Sequence, residues 1–126
     1  MFKKRILIVD LDPGVLDTLF HVLNDEGYRV HTLLDVVNLE SQVSLLSPDL
    51  IFLDADIANQ SGLEICKDLK SKKPKTPVVL FTTVENVNRA FLECEADGVI
   101  LKPLQIDEII LTSKFYLTPR RFFGLF

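Results

Sequence analysis

The sequence predicts an α/β domain: a mostly parallel sheet covered by helices on both faces. Short apolar runs alternate with amphipathic helical stretches five times along the chain. The runs at residues 6–9, 50–53 and 77–81 are unbroken, as expected of strands buried on both faces. Polar residues stand at the carboxyl ends of four runs: Asp10, Asp54, Thr82 and Lys102. Open α/β sheets place their chemistry at that edge.

Each element has its own signal. Residues 6–9 form the first strand. Asp12-Pro13 then reads as a helix start, with Asp as N-cap and Pro at the first helical position. Val15, Leu16, Leu19, Phe20 and Leu23 recur at helical spacing until Gly27 ends the helix. Residues 29–33 are a short second strand and 37–46 a second helix, closed by Ser47-Pro48-Asp49. The third strand, 50–53, runs into Asp54, and a polar loop covers 55–61. Residues 62–71 are helical, with Leu63, Cys66 and Leu69 on one face. Lys72-Lys73-Pro74-Lys75 is a solvated turn before the fourth strand, 77–81. Residues 86–95 form a weaker helix with few apolar positions. The fifth strand, 99–101, ends in Lys102-Pro103, and the last helix covers 106–117.

Composition bounds the function. A chain of 126 residues that is 48% hydrophobic can bury a core as one domain. No apolar run reaches the ~18 residues of a membrane span, and the basic start leads straight into Asp10 rather than a secretory core. A cytoplasmic protein is expected, with no membrane partner. The net charge of −4 points away from direct nucleic-acid binding. Cys66 and Cys94 lack metal-like spacing and read as reduced, partly buried thiols. Residues 1–118 are read as the domain. Residues 119–126, with Phe122, Phe123 and Phe126, are read as an apolar tail or the start of a linker.

Two carboxylates, a hydroxyl and an ammonium on one sheet edge make a coherent site. A carboxylate can attack a phosphoryl group and hold it covalently. A lysine and a hydroxyl can bind phosphoryl oxygens, and a divalent cation held by carboxylates can neutralise the rest of the charge.

This pattern resembles the receiver domain of bacterial two-component response regulators over nearly the whole chain. The matching segments are residues 6–13, 49–54, 61–64, 77–83, Ala96-Asp97-Gly98 and Leu101-Lys102-Pro103. The resemblance implies a flavodoxin-like, three-layer (βα)5 sandwich with strand order 2-1-3-4-5. It implies that Asp54 accepts phosphate from a sensor kinase histidine and that Lys102, before a cis-proline at Pro103, pairs with the phosphoryl group. Thr82 would move to hydrogen-bond that group. Mg²⁺ is implied at Asp10, Asp54 and the backbone carbonyl of Asp56, with Asp12 a further candidate ligand.

The chain also departs from that pattern. The family usually has two adjacent acidic residues after strand one, the second a direct Mg²⁺ ligand, and Leu11 holds that second place. Val99 replaces a usual aromatic switch residue, and Ala58 a usual proline. Asp56 and Val84 occupy two variable positions that tune phosphoryl lifetime in the family.

Two rival readings stand beside this one. Val9-Asp10-Leu11-Asp12 also looks like the first motif of haloacid-dehalogenase-type phosphatases, with Asp10 as nucleophile and Asp12 as acid/base. That reading leaves Asp54 unexplained and lacks the family's later acidic pair. The second rival is a phosphorylation-independent pseudo-receiver, favoured by Leu11 and Val99 and opposed by Asp54, Thr82 and Lys102. The expected partners are a sensor histidine kinase or phosphotransfer protein and a downstream effector or fused output domain. A homodimer through helix 4, strand 5 and helix 5 is a further expectation. The domain is expected to be a switch rather than a dedicated enzyme.

Overall fold

The computed structural model describes residues 2–57 and 61–119. Ala58 and residues 120–126 lie outside that set. Five strands, β1 (Arg5–Val9), β2 (Arg29–Leu33), β3 (Leu50–Asp54), β4 (Val78–Thr82) and β5 (Gly98–Leu101), form one parallel sheet of order β2-β1-β3-β4-β5. Helices α1 (Pro13–Asp25), α2 (Leu39–Leu46), α3 (Gly62–Lys72), α4 (Val87–Leu92) and α5 (Ile106–Leu117) complete the three layers. Architecture and strand order are those expected from the sequence.

The unbroken apolar runs follow from two-sided burial. On β1, Ile6 and Ile8 pack with Leu16, Leu19 and Leu23 of α1 and Ile109 of α5. Leu7 and Val9 turn to the opposite face and join Val43 of α2, Cys66 of α3 and Ala90 of α4. The same alternation runs along β3 and β4, where Phe52 and Phe81 stack at 5.4 Å on the α1/α5 side. Fully burying one such side chain contributes about 1.5–3 kcal/mol, so the central strands anchor both layers.

Two helices differ from expectation. α2 starts at Leu39 rather than 37, because the Asp35 carboxylate accepts from the Val37 N–H at 3.0 Å and holds a turn there. The fourth helical stretch splits into a 3₁₀ turn, Val84–Asn86, and the six-residue α4. It buries one residue, Ala90, and its carboxyl end closes through Glu95 in the left-handed region (φ 57°).

At the amino-terminal edge of the sheet, the Lys70 ammonium is buried. It donates to the Pro74 and Thr76 carbonyls at 3.0 and 2.9 Å and meets the Asp97 carboxylate at 2.7 Å. All three of its protons thus have acceptors. The same Asp97 oxygen accepts from the Val78 N–H at 2.8 Å, so one clamp ties the end of α3 to the starts of β4 and β5. Lys70→Met strands the Asp97 carboxylate and leaves two carbonyls short of a donor. It is expected to cost about 2–4 kcal/mol, read as a lower urea midpoint, with Lys70→Met/Asp97→Asn recovering part of the loss. An unchanged midpoint would show that the clamp contributes nothing.

Candidate functional site

The parallel register delivers the polar residues to one edge. Asp10 directly follows β1, Asp54 closes β3, Thr82 closes β4, and Lys102 directly follows β5. Register pairs Asp54 with Phe81 and Thr82 with Leu101, and the Lys102 N–H donates to the Thr82 carbonyl at 2.9 Å. Asp10, Leu11, Asp12, Val15, Asp54, Lys102, Pro103 and Leu104 line an open cleft of about 420 Å³. The sequence-predicted residues Asp10, Asp12, Asp54 and Lys102 therefore share one cavity. Thr82 lies buried beneath the same edge. The Lys102–Pro103 peptide is cis.

Local geometry separates the roles of the carboxylates. Asp10 and Asp54 are both about 5% exposed. Asp10 Oδ1 accepts from the Asp12 N–H at 2.9 Å, and Asp54 Oδ1 accepts from the Asp56 N–H at 3.1 Å. Asp12 caps α1, its Oδ1 accepting from the Gly14 N–H at 2.8 Å. A capping carboxylate is poorly placed as an acid/base partner for Asp10, so the geometry gives the phosphatase reading no support.

Lys102 Nζ lies 2.6 Å from Asp54 Oδ1 and 3.6 Å from Asp56 Oδ2. Its partial burial works against the charged form. The hydrogen bond to Asp54 and the charges of Asp54, Asp56 and Asp10 outweigh this and raise its pKa. Asp10 moves up from the ordinary 3.8, first because it is desolvated and further because Asp54 repels it; the Asp12 N–H and Lys102 oppose the shift.

Thr82 Oγ1 is fully buried and, among the described residues, is the one buried side-chain polar atom without a hydrogen-bond partner. An unsatisfied buried hydroxyl costs about 1–3 kcal/mol. At a strand end beside a charged cleft, it is a donor awaiting an acceptor.

No cluster of three or more His, Cys, Asp or Glu side chains forms a metal cage among the described residues. Leu11, 43% exposed, offers only alkyl surface to the cleft. The buried carboxylates that line the cleft are Asp10 and Asp54. Two carboxylates are compatible with Mg²⁺, since this ion commonly takes one or two carboxylates and keeps several waters.

Sequence reasoning missed two contributions. Val15 and Leu104 wall the cleft with apolar surface, a role that spacing does not reveal. Gly62 is the other. Its N–H donates to the Ala55 carbonyl at 2.8 Å, and a methyl there would overlap the Asp54 carbonyl oxygen and the Ala55 backbone. Glycine lets α3 start directly against the end of β3. The signal was its place at the first helical position, directly after Ser61.

Comparison with known proteins places this geometry. Residues 6–114 match the family model described as "Response regulator receiver domain". The chain belongs to the response regulator receiver domain family. It is 32% identical over 115 residues to response regulator MprA of Mycobacterium avium (strain 104), covering 90% of this chain and 50% of that protein. The chain thus spans about half the length of the curated relatives it matches. Among solved structures it is similar to a CheY-like receiver domain protein of Methanospirillum hungatei JF-1, at 26% identity and TM-score 0.82, covering 90% of this chain and 93% of that one. It is also similar to the receiver domain of NtrX from Brucella abortus, at 28% identity and TM-score 0.78, covering 89% and 97%. In this receiver Asp10, Asp54, Thr82 and Lys102 stand on one edge of the sheet, and Leu11 lines the cleft there.

The raised pKa of Asp10 sets a pH dependence. The folded state holds this proton more tightly than the unfolded chain, so stability falls as pH rises above 3.8 through the folded value. Asp10→Asn keeps an oxygen to accept from the Asp12 N–H and removes the charge. In buffer free of divalent cations it is expected to unfold at higher temperature than the parent at pH 7, with the difference closing below about pH 4. Equal or lower stability of the variant at pH 7 would contradict the account.

Proposed function

We propose that this receiver domain is a phosphoaccepting signalling switch. A carboxylate oxygen of Asp54 attacks the phosphorus of a phosphohistidine on a sensor kinase or phosphotransfer protein. The new P–O bond forms as the P–N bond breaks, and the imidazole leaves with its electron pair. The observation that carries the reading is the 2.6 Å contact between Lys102 and the buried Asp54. That contact sets a cation where phosphoryl charge would arrive. The unpartnered Thr82 hydroxyl supports the same reading, because a phosphoryl oxygen would give it the acceptor it lacks.

Asp10, Asp54 and the Asp56 carbonyl would hold Mg²⁺. When bound, this ion neutralises charge on the phosphoryl oxygens. Asp12 contributes to the cleft chiefly by fixing the start of α1. The domain acts as a switch rather than a turnover enzyme, because the phosphoryl group stays on its own side chain until hydrolysed. The partners we propose are a histidine kinase or phosphotransfer protein at the cleft and an effector or fused output domain. The MprA relatives, about twice this length, leave room for the latter. A homodimer through α4, β5 and α5 is a further proposed assembly. No helix of the described residues is long and apolar enough to cross a membrane. The free thiols of Cys66 and Cys94 are in keeping with the cytoplasmic setting we propose.

Two experiments test this. Incubation with acetyl phosphate and Mg²⁺ is expected to add one phosphoryl mass to the intact chain and none to Asp54→Ala. No gain would favour a phosphorylation-independent binding module instead, and an equal gain in the variant would overturn Asp54 as the phosphoacceptor. Leu11→Asp supplies a third carboxylate and is expected to tighten Mg²⁺ about 10-fold or more by titration calorimetry. Unchanged affinity would remove Leu11 as the limiting feature.

A further inference from the structure

Away from the acidic cleft, β5 and α5 enclose a shallow groove of about 380 Å³, lined by Val99, Leu111, Thr112, Phe115 and Tyr116 with Gly98 at its foot. Leu111 and Phe115 are 67% and 68% exposed. Isolated exposed apolar side chains are ordinary, but two that border one groove form a patch. The floor is firm. Tyr116 donates its hydroxyl to the Asp97 carbonyl at 2.8 Å, and Phe115 packs edge-on against the Tyr116 ring at 5.0 Å.

The groove lies beside the last turns of α5, where the chain leaves the helix. Thr118 is extended (φ −85°, ψ 129°), and Pro119 cannot continue the helix. Leu111 stands about 9 Å back along the axis from Leu117 at 1.5 Å per residue. Residues 118–122 can span roughly 17 Å when extended, enough for the chain to turn and run back beside α5. The residues that would then arrive are Phe122-Phe123-Gly124-Leu125-Phe126, four of them large and apolar. A segment tethered this closely has an effective concentration of about millimolar, above that of a second copy at ordinary protein concentrations.

We propose that residues 122–126 seat in the β5/α5 groove of their own chain and cover Leu111 and Phe115. The proposal does not rest on phosphorylation of Asp54. It assigns the tail a cis docking surface on the face that an effector or a second copy would otherwise meet, so either must displace it.

The chain contains no tryptophan, so F123W in the full chain is a single reporter. Its emission is expected to be blue-shifted and its quenching by acrylamide about threefold weaker than in F123W/F115S, with the shielding unchanged by roughly hundredfold dilution. F123W/L111S is expected to lose the shielding too, and circular dichroism checks that each variant is folded. Three results would each overturn the proposal: a reporter as exposed in the parent as in both groove variants, shielding that survives both groove substitutions, or shielding lost on dilution. The last would assign the groove to a second copy.

Discussion

Asp54 is a carboxylate held in a nearly closed strand end, and a cation must meet it there. Lys102 does so at 2.6 Å, and much of the fold is arranged around that contact. The two residues are far apart in sequence and come together only because β3, β4 and β5 run parallel in register. The Lys102 N–H bonds to the Thr82 carbonyl, so β4 fixes the backbone that carries the ammonium. Gly62 lets α3 begin against the Asp54 carbonyl, closing the site from the other layer. A shift of one residue in any of these strands would turn the side chain to the opposite face and separate the charges.

The two edges of the sheet differ in how their polar groups are satisfied. At the amino-terminal edge, Lys70 uses all three protons and Asp97 answers both an ammonium and a backbone N–H. That edge is closed and mechanically fixed. At the carboxyl edge, Thr82 keeps a buried hydroxyl without a partner, and Asp10 is held where burial and Asp54 both oppose its charge. Polar groups are thus fully answered at one end, while the other keeps one buried donor without a partner, as expected of an edge built to meet a ligand.

Most of the fold was legible because its signals are local and consistent. Unbroken apolar runs marked β1, β3 and β4, and Asp12-Pro13 marked the start of α1, where the cap bond is present. The polar strand ends were legible as well, since strand ends and site residues coincide in this architecture. α2 and α4 were less so. Asp35 captures a backbone N–H and delays α2, while α4 has too few apolar positions to declare its length. The Lys70 clamp was illegible, because a lysine in an amphipathic helix reads as solvated until its carboxylate partner arrives from another turn. The unpartnered state of Thr82 and the apolar wall of Val15 and Leu104 are likewise three-dimensional facts with no sequence period.

Leu11 has consequences on both sides of the charge balance. The cleft already holds Asp10 and Asp54, with Asp56 near its rim and Lys102 as the facing cation. A further carboxylate at position 11 would add repulsion to a pair in which Asp10 is already driven toward its neutral form. An alkyl side chain avoids that repulsion, so two acids share the pocket with less strain than three would. The same substitution weakens the attraction for a divalent ion, which depends on ligand number and charge. Under the proposed phosphotransfer, Lys102 and Thr82 would then answer a larger share of the incoming phosphoryl charge. Both are placed to do so, one already in contact with Asp54 and the other buried with its hydroxyl free. In the proposed switch, Leu11 would therefore exchange affinity for a divalent cation for lower repulsion among the pocket's own carboxylates.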